Sequence, residues 1–204
     1  MITWYDITWY DITWRDITWR DITENKMPMK KLTILIPFLL FILVSCQDKE
    51  AQEELDKMKA QSELEEQNRA LVEKYIQVWN QFDMNMLDEY LSPEFKVFIP
   101  SSTGEPMSLE QFREWIGGVF AGFPDSHYNI EDIFCQGDRV CVRWTYAATH
   151  QGEWSGIPAT GTEVTGSAIE IFTVKNGKIV EERSEMDAMG LMQQLGFSLS
   201  AGVE

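Results

Sequence analysis

The sequence is poor in the side chains that most often hold metal ions. Its 204 residues include only two histidines, His127 and His150, and three cysteines. No pair of them shows the Cys/His spacing of a zinc or iron site. We therefore predict no metal site.

Basic residues are also scarce, with 17 Lys and Arg against 33 Asp and Glu and a net charge of −16. Residues 1–45 hold five of each sign, so residues 46–204 keep 12 basic and 28 acidic side chains and the same net charge. Such a surface repels the phosphate backbone of nucleic acids, which we exclude as partners.

No apolar run in the sequence is long enough to span a bilayer. The longest, residues 32–44, has 13 residues, whereas a spanning helix needs about 20. It follows Lys30 and Lys31 and ends in the tetrapeptide LVSC, which closes with Cys46. This arrangement resembles a bacterial lipoprotein signal. The resemblance implies that residues 27–45 are a cleaved signal peptide and that Cys46 carries lipid. The protein would then be anchored by lipid in the cell envelope, at the outer membrane. It would face either the periplasm or the cell exterior.

Residues 2–23 form a five-residue repeat, ITWYD twice and then ITWRD twice, closed by Ile22 and Thr23. A period of five fits neither a helix nor a strand. We interpret residues 1–26 as spurious or disordered sequence, translated from upstream repeat DNA. A short adhesive tail is the alternative interpretation.

Helices are predicted in the first half of the remaining chain. Residues 46–67 are charged, contain neither Gly nor Pro and do not sustain heptads, which indicates a solvated helical tether. From Asn68 to Phe82, apolar residues recur at steps of three and four, which predicts a helix with one apolar face. A second short helix is predicted over residues 84–91, and a short strand over 95–100. Ser108 and Gln111 form a capping box before a third helix.

After Pro124 the apolar period changes to two. Four strands are predicted over residues 127–134, 139–151, 164–174 and 178–187, followed by a short helix over 188–195. Short turns connect them, among them Asn176 with Gly177, so neighbouring strands are antiparallel. Helices followed by a curled antiparallel sheet predict an α+β fold with helices on one face of the sheet. Cys135 and Cys141 fall on neighbouring strands; two small buried thiols are favoured over a cross-strand disulfide.

Two long segments carry a resemblance to a known family. They are FPDSHYNIEDIFCQGDRVCVRWTYAATHQGEW and SGIPATGTEVTGSAIEIFTVKNGKIVEERSEMDAMGLMQQLG. In them the chain resembles the SnoaL-like polyketide cyclases, also called ester cyclases, of the nuclear transport factor 2-like superfamily. The resemblance covers residues 68–196 and leaves residues 197–204 as a C-terminal tail. It implies a cone-shaped half-barrel around an apolar pocket, a homodimer, and neither a metal nor an organic cofactor.

The resemblance also suggests a catalytic residue. In the polyketide cyclases a late aspartate acts as acid and base in an intramolecular aldol ring closure, and by position it matches Asp187. Strict alternation places Asp187 with Ile179, Glu181 and Arg183, on a face that is not cleanly apolar. Asp187 also precedes the last helix, where Asp is a preferred N-cap, so catalysis and capping both stay open. Arg183 stands where family members often carry Trp.

Further site residues are predicted from the faces of the helices and strands. His150 shares a strand face with Val142, Trp144, Tyr146 and Ala148, so it is either a polar group that orients a ligand or a core residue. Seven aromatic residues are predicted to pack in the core and to line the pocket: Tyr75, Trp79, Phe82, Trp115, Trp144, Tyr146 and Phe172.

Two functions stay open at this point. The first is a lipid-anchored domain that binds a small hydrophobic molecule and performs cofactor-free acid/base chemistry as a cyclase, lyase or isomerase. The second is a noncatalytic module that binds a ligand or a protein at the cell envelope, since one scaffold can host both.

Overall fold

The computed structural model describes residues 29–100 and 105–198, with side chains from residue 49 onward. The pentapeptide repeat and the Cys46 side chain lie outside the described residues. The chain divides into two compact units, Met1–Lys57 and Met58–Glu204. Within the described part of the chain, no helix combines the length and the apolar character needed to cross a membrane.

Helix α1 runs without interruption over Met29–Gln81, so the predicted tether and the first domain helix are one element. Its side chains are exposed from residue 49 to 64, and its apolar face becomes buried from Val72 onward. Two sets of hydrogen bonds join the C-terminal part of α1 to the sheet. The Asn68 amide donates to Gly137 O at 3.0 Å, and Glu65 accepts from Gly137 N at 2.8 Å. Asn80 exchanges two such bonds with the Tyr128 backbone.

The segment after α1 differs in detail from the prediction. A 3₁₀ turn (Met84–Met86) and helix α2 (Leu87–Tyr90) replace one short helix, and strand β1 (Leu91–Phe98) begins earlier than expected. Pro93 lies inside β1, where the pairing register shifts, and an irregularity is where a strand tolerates proline. Strand β2 (Met107–Ser108) precedes helix α3 (Leu109–Gly122), and the predicted capping box of Ser108 and Gln111 is confirmed.

Four long strands and a last helix complete the fold. They are β3 (His127–Gln136), β4 (Arg139–Thr149), β5 (Glu163–Lys175), β6 (Lys178–Met186) and α4 (Ala188–Gln194). The sheet order is β2-β1-β6-β5-β4-β3, and β3 to β6 are antiparallel neighbours as predicted. Strand β1 pairs with β6 in parallel. The sequence does not predict this pairing, because no short connection joins the two strands. The α+β class is confirmed, with helices packed on a curved, unclosed, mostly antiparallel sheet.

The core lies between α1, α3 and the inner face of the sheet. Tyr75 of α1 contacts Phe172 of β5 edge to face at 5.7 Å, and Phe112 and Ile116 of α3 are fully buried. Because aromatic and aliphatic side chains from both layers lose their water contact here, this cluster supplies most of the hydrophobic stabilisation.

A bulge in β6 corrects the predicted alternation of that strand. Val174 pairs with Ile179, but the preceding residue of β5, Thr173, pairs with Glu181, so Val180 is an extra residue. One extra residue turns every later side chain to the opposite face. Ile179 therefore shares the inner face with Glu182 and Ser184, instead of with Glu181 and Arg183 as strict alternation predicted. Arg183 lies outside, 4.1 Å from the Phe98 ring and bonded to Glu181 at 2.8 Å.

The two cysteines of the β3–β4 hairpin are free and half-buried, so the cross-strand disulfide is absent here. The turn has two residues, and Phe134 pairs with Cys141 while Cys135 pairs with Val140. Adjacent pairs face opposite sides of a sheet, so the two thiols cannot meet. The thiols are also less buried than predicted, because both lie near the end of the hairpin.

Candidate active site

A largely apolar cavity opens between the helices and the inner face of β4, β5 and β6. It holds about 750 Å³ of empty volume including its mouth. Four tryptophans line it, Trp79, Trp115, Trp144 and Trp154, with aliphatic side chains from α1, α3 and α4. Its only carboxyl groups, within the described lining, belong to Glu170 and Glu182. Such a cavity, apolar with a few convergent polar groups, has the usual form of a small-molecule site.

The two glutamates lie diagonally on the inner face of the sheet. Glu170 of β5 pairs directly with Ser184 of β6, and Glu182 pairs with Phe172, two residues further along β5. Glu170 is 7 % exposed and Glu182 is 1 % exposed. Ser184 Oγ donates to Glu170 Oε1 at 3.1 Å, and Tyr75 Oη donates to Glu182 Oε2 at 3.2 Å. Each carboxyl group is thus held by a hydroxyl donor from a different element.

Burial changes the protonation of this carboxyl pair. Loss of water raises the pKa of Glu170 to about 7, although hydrogen bonds from Trp144 and Ser184 oppose the rise. The pKa of Glu182 is raised well above its usual range, first by burial and then by the charge of Glu170. Because ionising both groups would place two charges in an apolar space, the pair keeps a proton at neutral pH. It can therefore accept a proton on one carboxyl while the other stays protonated.

The arrangement suits acid/base chemistry. A carboxylate whose pKa lies near neutral pH removes and returns protons with little cost in driving force. The lining offers no imidazole or thiol group, and nowhere in the described residues do three His, Cys, Asp or Glu side chains converge as metal ligands.

Asp187 does not line this cavity. It is exposed, its Oδ1 accepts from Gly190 N at 2.8 Å, and it is the N-cap of α4. It borders an open polar groove on the other face of the sheet together with His127 and Arg143. The N-cap role that the sequence suggests for Asp187 is observed. A catalytic role for Asp187 stays a prediction.

His150 is fully buried and lies behind the cavity wall. Its ring stacks on Phe123 at 5.1 Å, Phe123 lines the cavity, and Nδ1 lies 3.1 Å from Thr160 Oγ1. His150 N and O bond to Thr162 and Gly161 at 2.9 Å each, which closes the base of the β4–β5 loop. His150 itself is not among the residues that line the cavity, and its site role stays a prediction.

The β4–β5 loop, residues 150–162, is joined to the end of α3 through glycines. Gln151 N and Gly152 N both donate to Gly122 O, at 2.9 and 3.1 Å. A Cβ at Gly152 would fall 2.0 Å from Ala121 O, and a Cβ at Gly122 would fall 2.7 Å from the Trp154 Cβ. This close approach lets Trp154 reach the cavity and contact Phe123 at 5.4 Å.

Of the seven predicted aromatic lining residues, four reach the cavity: Trp79, Trp115, Trp144 and Tyr146. Tyr75 contributes through its bond to Glu182. Phe172 lies in the core beneath the cavity, and Phe82 packs on Phe120 at 4.8 Å away from it.

The carboxyl pair was not predicted from the sequence. Strand alternation puts Glu170 on the same face as Val164, Ala168, Phe172 and Val174, so an inward glutamate was a usable signal. Glu182 was hidden by the bulge, because strict alternation gives that strand no apolar face.

Comparison with known proteins places these residues in context. A sequence model of the SnoaL-like polyketide cyclase family matches residues 69–195. The aklanonic acid methyl ester cyclase DauD of Streptomyces sp. (strain C5) is 30% identical over 113 residues, 54% of this chain and 67% of that protein. The nogalonic acid methyl ester cyclase of Streptomyces nogalater is 25% identical over 112 residues, 54% of this chain and 83% of that protein.

Solved structures show the same fold. TsrD from Streptomyces laurentii superposes with a TM-score of 0.56 at 29% identity, over 64% of this chain and 95% of that one. A SnoaL-like protein of Jannaschia sp. CCS1 gives a TM-score of 0.60 at 21% identity, over 67% and 96% of the two chains. The second likeness concerns the fold alone.

Proposed function

Since the chain belongs to the SnoaL-like polyketide cyclase family, we propose that it is a cofactor-independent enzyme that performs acid/base chemistry on a small hydrophobic carbonyl compound. One observation carries the proposal: two buried carboxyl groups, Glu170 and Glu182, line an apolar cavity. Burial raises the pKa of both groups. Two relatives are named as methyl ester cyclases, which supports ring closure as the reaction.

In the proposed reaction Glu170 is the base. Its carboxylate removes a proton from a carbon beside a carbonyl group, which leaves an enolate. The enolate carbon attacks a second carbonyl carbon of the same molecule, a C–C bond forms, and the second carbonyl oxygen becomes an alkoxide. Glu170 then returns the proton to the alkoxide, so the reaction needs no other reactant. Glu182 stays protonated, held by Tyr75, and limits the negative charge beside the enolate.

Burial supports this assignment of roles. Glu182 is the more deeply buried of the two and has the charge of Glu170 beside it, so it holds its proton more firmly. Glu170 has a pKa of about 7 and is partly ionised at neutral pH, as a base must be.

The test uses α-tetralone, a neutral bicyclic ketone with exchangeable hydrogens beside its carbonyl. The full-length protein in deuterated buffer with a chelator is expected to speed the exchange of these hydrogens, followed by proton NMR. The double variant Glu170→Gln/Glu182→Gln keeps both side-chain volumes but cannot transfer protons, so exchange should fall to the background rate. Exchange that persists in a folded double variant, or that the chelator abolishes, would contradict the proposal.

A noncatalytic ligand-binding module is the second candidate. The observation in its favour is that Asp187, the aspartate matched to the family's catalytic residue, is occupied by the Gly190 amide. Under this alternative α-tetralone binds in the cavity, but its exchange rate with protein present equals that in buffer.

We also propose that lipid on Cys46 anchors the chain in the cell envelope. The proposal is supported by the apolar run of residues 32–44 and by the LVSC sequence that ends it. Replacing Cys46→Ala and fractionating cells is the test. Loss of the detergent-dependent membrane fraction is expected, and an unchanged distribution would refute the anchor.

A further inference from the structure

Two hydroxyl groups in the cavity are not used by the carboxyl pair. Tyr146 Oη and Ser126 Oγ are both buried, both residues line the cavity, and neither atom has a well-formed hydrogen bond among the described residues. The Ser126 hydroxyl lies near that of Tyr128 and lowers the pKa of that phenol. Buried polar atoms in folded proteins nearly always have a partner, so an exception inside a cavity indicates a ligand group.

The Tyr146 ring occupies the space that a side chain at Gly166 would fill. Gly166 of β5 pairs with Tyr146, and a Cβ at Gly166 would fall 2.4 Å from Tyr146 Cε1 and 2.8 Å from its Oη. The ring therefore lies directly over β5. Trp144 and Tyr128 contact it at 6.0 and 6.2 Å between ring centroids. Burial, with smaller contributions from Tyr128 and Asp187, raises the pKa of Tyr146 to about 12, so the phenol remains a donor.

Ser126 is equally well placed. The residue is 4 % exposed, and its backbone N–H donates to Phe123 O at 3.1 Å, which closes the turn between α3 and β3. Its hydroxyl is thus presented to the cavity from a fixed backbone.

The strand position of Tyr146 lies at a distance from that of Glu170. Tyr146 pairs with Gly166, four residues along β5 from Glu170, so the two positions are separated by about 13 Å along the strand. No Lys, Arg or His is found among the described residues that line the cavity, so an anionic group would meet two acids and no compensating charge. A neutral acceptor oxygen fits this end best.

We propose that the Tyr146 and Ser126 hydroxyls form an acceptor-binding subsite that holds a neutral carbonyl oxygen of the ligand, remote from the group that reacts at Glu170. The inference rests on the proposed function for the meaning of the Glu170 end, but it concerns binding alone. The ligand class is then a neutral, elongated, apolar molecule with an acceptor oxygen away from its reacting carbon.

The experiment compares two probes of nearly the same shape, β-acetylnaphthalene and β-ethylnaphthalene, of which only the first carries a carbonyl. Binding to the full-length protein is measured by quenching of tryptophan fluorescence, since four tryptophans line the cavity. Tyr146→Phe is expected to weaken binding of the acetyl probe about tenfold and that of the ethyl probe by no more than about twofold. Ser126→Ala should act in the same direction. The matched control is Tyr90→Phe, because Tyr90 does not line the cavity.

A spectroscopic measurement separates hydrogen bonding from packing. With a carbonyl-labelled acetyl probe, the ¹³C resonance should move downfield on binding to the native protein and lose most of that shift in Tyr146→Phe. Equal weakening of both probes, an unshifted carbonyl resonance, or no saturable binding of the acetyl probe to the native protein would overturn the subsite. Neither measurement needs proton transfer. If acid/base chemistry fails, exchange of α-tetralone is absent while the Tyr146 effect remains; if the subsite fails, exchange still depends on Glu170.

Discussion

Glu182 and Asp187 are five residues apart, yet their carboxyl groups lie in opposite environments. Glu182 is inside β6, 1 % exposed, and bonded to a phenol, whereas Asp187 follows the strand, is exposed, and accepts from a backbone amide of α4. The first group meets an apolar cavity and the second meets water. Carboxyl chemistry in this fold therefore depends on the strand face to which a residue turns, and on a single bulge, more than on its place in the chain.

The largest expected effect is on activity, and it distinguishes the cavity carboxyl groups from Asp187. Glu170→Gln should lower the rate of α-tetralone exchange by about 10²- to 10⁴-fold, because the amide cannot take the proton. Asp187→Asn, which removes a carboxylate outside the cavity, should change it by no more than about twofold. Proton NMR in deuterated buffer measures both. A large loss in Asp187→Asn with an active Glu170→Gln would reverse the assignment.

The second effect concerns stability and pH. Glu170 ionises near pH 4.5 when unfolded but only near pH 7 when folded, so the folded state binds the extra proton between these values. The free energy of unfolding should therefore fall as pH rises through this window, by about 3 kcal/mol for Glu170 alone, and then level off. Glu182, whose pKa is also raised, adds to this fall and moves the levelling to higher pH.

Urea unfolding at about pH 5 and about pH 8 measures this slope. The double variant Glu170→Gln/Glu182→Gln should be markedly less sensitive to pH than the native protein and more stable at the higher pH. Asp187→Asn is the matched control and should keep the native slope. Identical slopes in all three proteins would contradict the buried pair.

A third prediction tests the border between the two regions, since Tyr146 lines both the cavity and the groove that contains Asp187. Gly166→Ala should destabilise the fold by about 1 to 3 kcal/mol, because the added methyl group meets the Tyr146 ring. It should also weaken binding of β-acetylnaphthalene. Gly118→Ala in α3 is the control, because a Cβ there meets nothing within 4 Å and alanine favours the helix. Native affinity in a stable Gly166→Ala would show that the ring position does not matter.

The smallest expected effect is the loss of stability on replacing Asp187, the N-cap of α4. Asp187→Ala should lower the free energy of unfolding by about 0.5 to 2 kcal/mol, while Asp187→Asn, which also caps helices well, should be nearly neutral. Chemical denaturation of the two variants at one pH provides the comparison. An alanine variant as stable as the native protein would mean that the bond to Gly190 contributes nothing.

Most of the fold could be predicted from the sequence because its patterns are local. The capping box at Ser108, the four long strands and the Asn176 turn follow from short-range chemistry. The parallel pairing of β1 with β6 could not be predicted, because no short connection joins the two strands.

Less of the site could be predicted, because part of it depends on strand pairing and not on local patterns. Trp79, Trp115, Trp144 and Tyr146 were found through periodicity, and Glu170 could have been found by counting along β5. Glu182 could not, since the bulge at Val180 is a property of strand pairing and reverses the faces after it.

The glycine contact between α3 and the β4–β5 loop has a consequence for engineering. Gln151 and Gly152 bond to Gly122 through backbone atoms alone, so these bonds do not depend on the Trp154 side chain that lines the cavity. Trp154 can therefore be shortened to enlarge the cavity for bulkier compounds while the backbone hydrogen bonds of Gly122 stay intact. Substrate range and scaffold integrity are separable at this position, which makes Trp154 the natural starting point for a library, with both glycines left unchanged.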